Sequence, residues 1–157
     1  MKKVLFVCTG NTCRSPMAAA IMQHLCEEDG LDVRIESAGL LAADGEPATK
    51  EAVVALSELD ISLEEHKSQP ITEELINKSD LIITMTEAHK MLLENIAGEK
   101  TRTICELAEI DGEISDPYGG DLDDYKETAN KLYIALSHIE DNIFQIMQSE
   151  VNNNDGE

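Results

Sequence analysis

The sequence predicts a doubly wound α/β domain. Apolar, β-branched runs of strand length alternate with helical patterns, which implies a parallel sheet with right-handed crossovers. The first such run stops at a Gly-Asn turn signal and is followed at once by a helix start. No internal repeat, low-complexity linker or composition break divides the chain, and its 157 residues fit one domain with a real core.

The elements follow in order. Lys2–Cys8, apolar throughout after its lysines, reads as a buried strand. Ser15-Pro16 reads as a helix start, with Ser as cap and Pro at the first helical position. Met17, Ala20, Ile21 and Leu25 fall at helical spacing, and Asp29-Gly30 ends the helix. A second strand over 33–37 is closed by Ala38-Gly39. Residues 47–59 read as a helix with Ala52, Val53, Leu56 and Leu59 on one face, and Thr72 opens a short one. The run 80–85 is the clearest buried strand after the first, followed by a helix over 87–95. A weaker strand is expected over 101–105, then a long helix over 122–148 with Leu132, Leu136, Ile139, Ile143 and Ile146 inward. The expected domain is 1–149, with a polar tail over 150–157.

Composition narrows the function classes. The formal net charge of −20 argues against nucleic acid or an anionic membrane as partner. Residues 1–26 nevertheless hold Lys2, Lys3 and Arg14 with no acidic residue, so an anion is best tolerated there. No apolar run reaches 18 residues, and the apolar N-terminal run stops too early for a signal peptide, so a cytoplasmic protein is expected. Cys8, Cys13, Cys26 and Cys105 are spaced unlike a disulfide framework or a zinc site and are expected as thiols.

Chemistry is expected where the first strand ends, because ligands of such folds bind at the carboxyl ends of the strands. The segment there is Cys8-Thr9-Gly10-Asn11-Thr12-Cys13-Arg14-Ser15. A strand, a short loop and a helix N-terminus aim successive backbone N–H groups at one point, a nest for a phosphate-sized anion. Cys8 points into it, and thiolate is the nucleophilic form of cysteine. Arg14 offers a planar fork to two phosphate oxygens. Ser15 can donate to the sulfur as it leaves, and Gly10 and Asn11 tolerate positive φ in a tight loop. A nucleotide-binding loop fits poorly, since no Gly-Lys-Ser/Thr is present. A lone buried cysteine at a strand end is often an inert small hydrophobe; here the strand, the helix start and the acid-free stretch coincide.

Phosphoryl transfer also needs a proton for the departing group and a base for the water that follows, and one carboxyl can serve both. Asp116-Pro117-Tyr118-Gly119-Gly120 is a turn that would hold such a carboxyl out. By spacing alone Asp116 is one acid among 32, and His66 reads as a surface histidine.

The segments Val7-Cys8-Thr9-Gly10-Asn11-Thr12-Cys13-Arg14-Ser15-Pro16-Met17-Ala18 and Asp116-Pro117-Tyr118-Gly119 resemble the low-molecular-weight protein tyrosine phosphatases. Ser37-Ala38-Gly39, His66-Lys67-Ser68-Gln69 and 80–85 lie between them in the family's order. The resemblance reaches to about residue 148. It implies a three-layer, flavodoxin-like domain with a four-stranded parallel sheet (the phosphotyrosine phosphatase I type). It also implies a phosphocysteine intermediate, no metal or cofactor, phosphorylated proteins as substrates, oxyanions as inhibitors and a monomer. On the same ground Cys8, Arg14 and Asp116 are the catalytic residues, and Thr9 through Ser15 bind phosphate. Ser37, His66, Asn11 and Ser15 support the loop, and Thr12, Leu41 and Tyr118 set specificity. The family often has Glu where Ala19 stands here, which affects a local helix contact.

Phosphotyrosine enzymes of this family usually carry Ile at the position of Thr12. The Thr form, with Asp-Pro-Tyr-Gly-Gly, resembles bacterial protein-arginine phosphatases. Thr is shorter than Ile and polar, and a cationic phosphoarginine head gains from an ionised Asp116, whereas an aryl leaving group needs an acid. Phosphoarginine is therefore the expected substrate and phosphotyrosine the alternative. Cys13, in the same loop as Cys8, is a candidate redox partner for it. An arsenate reductase on this fold is the remote alternative; it would need two further cysteines near 80–95, and none is there. A phosphopeptide-binding module would not need both Cys8 and Asp116.

Overall fold

The computed structural model describes residues 1–148; the expected tail over 150–157 lies outside the described residues. Four parallel strands form one sheet: β1 (Lys2–Cys8), β2 (Val33–Gly39), β3 (Leu81–Thr84) and β4 (Thr101–Thr103), in the order β2-β1-β3-β4. β1 lies at the centre, paired from Lys2↔Val33 to Cys8↔Gly39 on one side and from Val4↔Leu81 to Val7↔Thr84 on the other.

Period-two alternation divides β1 between two cores. Val4, Phe6 and Cys8 face α1 (Arg14–Glu28), α2 (Lys50–Ser57), α5 (Ile104–Ala108) and α6 (Leu122–Asp141). Leu5 and Val7 face α3 (Glu73–Lys78) and α4 (Glu87–Ala97), through Ile76, Leu93 and Ala97. Helices on both faces explain the unbroken apolar runs over 4–8 in β1 and 81–83 in β3. The predicted three-layer domain is the fold observed. The chain leaves β1 toward β2 and later returns to place β3 on the other side, so the order reverses between β1 and β3, and the crevice opens there.

Several boundaries differ from the sequence expectation. Ile104 and Cys105 are helical, because Thr103 and Glu106 form a reciprocal capping box that ends β4 after three residues. The long helix α6 ends at Asp141 with Asn142 as its cap, and helical residues resume over 143–148. The helix expected over 47–59 spans Lys50–Ser57, where Thr49 takes the cap by accepting from the Ala52 N–H.

Ser15 is not the cap of α1. The helix begins one residue earlier, at Arg14, and Pro16 lies in its first turn, where no intrahelical N–H is required. The position before it belongs to Cys13, which makes no side-chain cap bond, and the first turn holds no acid. Helices α2 to α6 each have a side-chain cap: Thr49, Thr72, Thr86, Thr103 and Asp121. The N–H groups that open α1 are left for something else.

Candidate active site

The site is built on the loop between Cys8 and Arg14. The backbone ladder of β1 and β2 runs past the strand end: Leu40 N–H donates to the Cys8 carbonyl and Leu41 N–H to that of Thr9, both at 2.9 Å. At Gly39 a Cβ would come within 2.6 Å of the Thr9 carbonyl oxygen and 3.0 Å of the Asn11 nitrogen, so β2 and the loop touch only because this residue has no side chain. Asn11 takes φ +58 while Gly10 has no positive φ, so the left-handed turn expected of the pair falls on Asn11 alone.

Asn11 is fully buried and is the hub of the loop. Its Nδ2 donates to Ser15 Oγ at 2.8 Å and to Ser37 Oγ at 3.0 Å, and its Oδ1 accepts from the Gln69 N–H at 3.0 Å. Its carbonyl accepts from His66 Nε2 at 2.7 Å. That bond requires the proton on Nε2, and burial holds the His66 ring below the usual histidine range. Gln69 Nε2 closes the network on the Ser37 carbonyl. All four supporting residues named from the sequence meet here. Gln69 joins them, a participant the sequence reading missed, although it lies in a segment already singled out.

Cys8 Sγ lies 2.9 Å from Ser15 Oγ. With Ser15 Oγ accepting from Asn11, its hydroxyl proton can be offered to the sulfur. Arg14 is 5% exposed; its Nη1 donates to the Ile114 carbonyl at 3.0 Å and its Nη2 lies 3.6 Å from Asp116 Oδ2. Ile114 is itself tied to the end of β3 through the Met85 carbonyl, so Arg14 anchors the Asp116 loop to the sheet. Asp116 is half exposed, and its Oδ1 accepts from the Tyr118 N–H at 3.1 Å.

Cys8 through Arg14, with Asp116 and Tyr118, line a cavity of about 220 Å³. Its size suits a phosphoryl group and the first atoms of what carries it. Tyr118, 74% exposed, stands at the rim, and half-buried Thr12 forms part of the wall. Leu41 does not line the cavity: its side chain is 83% exposed, and its backbone is what meets the loop. Cys13 also lines the cavity, but its sulfur is taken up by Tyr125, with Sγ 3.5 Å from Oη. Among the described residues, the side chains grouped closely enough to hold an ion are Asp29, Glu140 and Asp141, at the opposite end of α1 from the loop.

Residues 3–152 match the family described as low molecular weight phosphotyrosine protein phosphatase. The chain belongs to that family. It is thus a cysteine-dependent protein phosphatase. It is 43% identical over 140 residues to a protein-arginine-phosphatase of Bacillus subtilis, covering 87% of this chain and 93% of the relative. To the low molecular weight protein-tyrosine-phosphatase PtpB of Staphylococcus epidermidis it is 36% identical, covering 87% and 96%. Among solved structures it is similar to the YwlE arginine phosphatase, in a cysteine-to-serine mutant with a phosphorylated active-site serine. There the TM-score is 0.87 and the identity 39%, over 90% of this chain and 95% of that one. No described helix is long and apolar enough to cross a membrane.

Proposed function

We propose that this phosphatase removes phosphate from phosphoarginine in proteins, with Cys8 as nucleophile. Attack by the Cys8 thiolate on phosphorus displaces the guanidine nitrogen and leaves a phosphocysteine; water then attacks that phosphorus and releases phosphate and the thiolate. The open N–H groups of α1 and the Arg14 fork take the phosphoryl oxygens, and the Ser15 hydroxyl donates to the departing sulfur. The ionised Asp116 carboxylate faces the cationic phosphoguanidinium head, whose nitrogen keeps the P–N electron pair and leaves as neutral guanidine, and Asp116 then takes a proton from the attacking water. The observation that carries this assignment is the uncapped start of α1 with Cys8 Sγ against Ser15. A relative's phosphorylated serine at its active site, in a cysteine-to-serine mutant, supports the covalent step. Inorganic phosphate and other oxyanions would then compete with substrate.

Thr12 in the cavity wall supports arginine over tyrosine. A threonine leaves room beside the phosphorus and presents a hydroxyl where isoleucine would present a methyl group. The similarity to arginine phosphatases points the same way. Dephosphorylation of phosphotyrosine is the second reading, supported by the tyrosine-phosphatase relatives and by Tyr118 at the rim. Turnover of phosphoarginine and phosphotyrosine proteins by wild type and Thr12→Ile distinguishes them. Wild type is expected to prefer phosphoarginine and Thr12→Ile to move toward phosphotyrosine by about tenfold or more. An unchanged preference would overturn the role of Thr12. Loss of all turnover in Cys8→Ser, with phosphate binding kept, is the control for the nucleophile.

The catalytic domain is taken as 1–149, acting as a monomer, since one chain supplies Cys8, Arg14 and Asp116. Four free thiols support a reducing, cytoplasmic setting.

A further inference from the structure

His89 enters none of the steps above, yet it reaches the phosphate loop. It is the third residue of α4, its own N–H taken by the Thr86 cap, and its side chain is buried. Its Nε2 lies 2.9 Å from Thr9 Oγ1, a bond across the β1–β3 crevice between residues 80 apart in sequence. Its other ring nitrogen, Nδ1, is buried with no hydrogen-bond partner among the described residues.

That orphan atom decides the tautomer. A buried N–H without an acceptor is rarer than a bare lone pair. The cationic ring would orphan an N–H and add a second positive charge near Arg14. Burial first, then the Arg14 guanidinium, hold the ring below the usual histidine range. The neutral ring therefore carries its proton on Nε2 and donates it to Thr9 Oγ1. The Thr9 hydroxyl proton then remains for another acceptor. Thr9 lines the cavity beside Cys8, and its carbonyl is fixed by Leu41.

We propose that His89 is a positioning residue that turns the Thr9 hydroxyl into a side-chain donor for the phosphoryl oxygens, in addition to the backbone amides and Arg14. The role rests on the reading of this loop as the phosphate site. That reading is tested separately by Cys8→Ser, whose retained turnover would remove it whatever His89 does.

The test is steady-state kinetics on p-nitrophenyl phosphate, with inhibition by inorganic phosphate and Tm measured in parallel. The variants are Thr9→Val, His89→Leu, His89→Gln and the Thr9→Val/His89→Leu pair. Each of the first two is expected to lower kcat/KM about tenfold and to weaken phosphate inhibition by a similar factor. The pair should be no worse than either single change, because the two side chains act as one donor. His89→Gln, whose amide N–H can reach Thr9, should recover most of the loss. Losses that multiply in the pair would overturn the proposal. So would a Thr9→Val enzyme equal to wild type, or a His89→Gln enzyme as impaired as His89→Leu at unchanged Tm.

Discussion

The sulfur of Cys8 meets a hydroxyl, whereas that of Cys13 packs between the Tyr125 phenol at 3.5 Å and the Thr49 hydroxyl at 3.9 Å. Tyr125 is 2% exposed, and burial, then the contact with Cys13, pushes its hydroxyl up to about 12, so the phenol stays neutral in this close-packed contact. A link between the two cysteines would need peroxide to convert Cys8 to the sulfenic acid. The Cys13 thiol would then turn away from Tyr125, attack that sulfur and expel water. Cys26 and Cys105 are poor competitors for oxidant. Burial, then the nearby carboxylates led by Glu140, pushes Cys26 up to about 11, and burial also raises Cys105. Mild peroxide is expected to give a Cys8–Cys13 crosslink reversible by thiols, and Cys13→Ser to leave Cys8 as sulfinic acid. Peptide mapping that finds sulfinic Cys8 and no crosslink in the wild type would count against the pairing. At this scale the sequence was informative about Cys8, Arg14 and Ser15, whose spacing around one turn is local. It was silent on His89, which matters only because α4 lies against the loop.

Two elements set the position of the loop: the end of β2 and the start of α1. Gly39 carries the first. Alanine there would bring a methyl group into the Thr9 carbonyl, which is held by the Leu41 N–H, and into the Ala42 side chain. Gly39→Ala is expected to cost about 1–3 kcal/mol of stability. It should also lower kcat/KM by at least tenfold, because the displaced atoms are those of the phosphate loop. Denaturant melts and p-nitrophenyl phosphate kinetics check both; full activity at unchanged midpoint would show that the loop yields. Gly120 makes a similar contact in the Asp116 turn, where a Cβ would run into the Asp124 carboxylate. The elements themselves were largely legible, since strand and helix periods survive in a short window. The exception, Ile104–Ala108, has a strand-like β-branched start, and only the Thr103–Glu106 box turns it helical.

Among the described residues one carboxyl is buried, Glu140 of α6, close to Asp29 at the end of α1. Burial, then the proximity of Asp29 and Asp141, pushes Glu140 up to about 7 from an ordinary 4.5. The folded protein thus holds a proton that the unfolded chain releases near 4.5. Its contribution to stability is complete below that value and is lost as pH rises through about 7. Both helices end here, and their dipoles disfavour negative charge. Glu140→Gln is expected to stabilise the protein by about 2 kcal/mol at pH 8 and to flatten stability between pH 5 and 7. The two lowered histidines act in the opposite sense: burial keeps His66 and His89 neutral. Their contribution is complete above the ordinary 6.5 and falls as pH drops through their folded values. Thermal melts of wild type and Glu140→Gln from pH 5 to 8 separate the two effects; parallel curves would remove Glu140 as the cause.

The sequence by itself determined the strand–loop–helix that carries Cys8, Arg14 and Ser15, the alternation that makes the sheet parallel, and the turn at Asp116. Each is encoded within about a dozen residues, where periodicity and turn chemistry act directly. Tertiary structure alone decided that Gln69 joins Ser37 and His66, both already named from the family resemblance, around Asn11, and that His89 closes on Thr9 and Tyr125 on Cys13. It also decided that Leu41 stays outside the cavity while Asp116 meets Arg14. Those juxtapositions depend on how helices pack across the sheet, and a polar residue far away in sequence carries no local mark of the partner it will find.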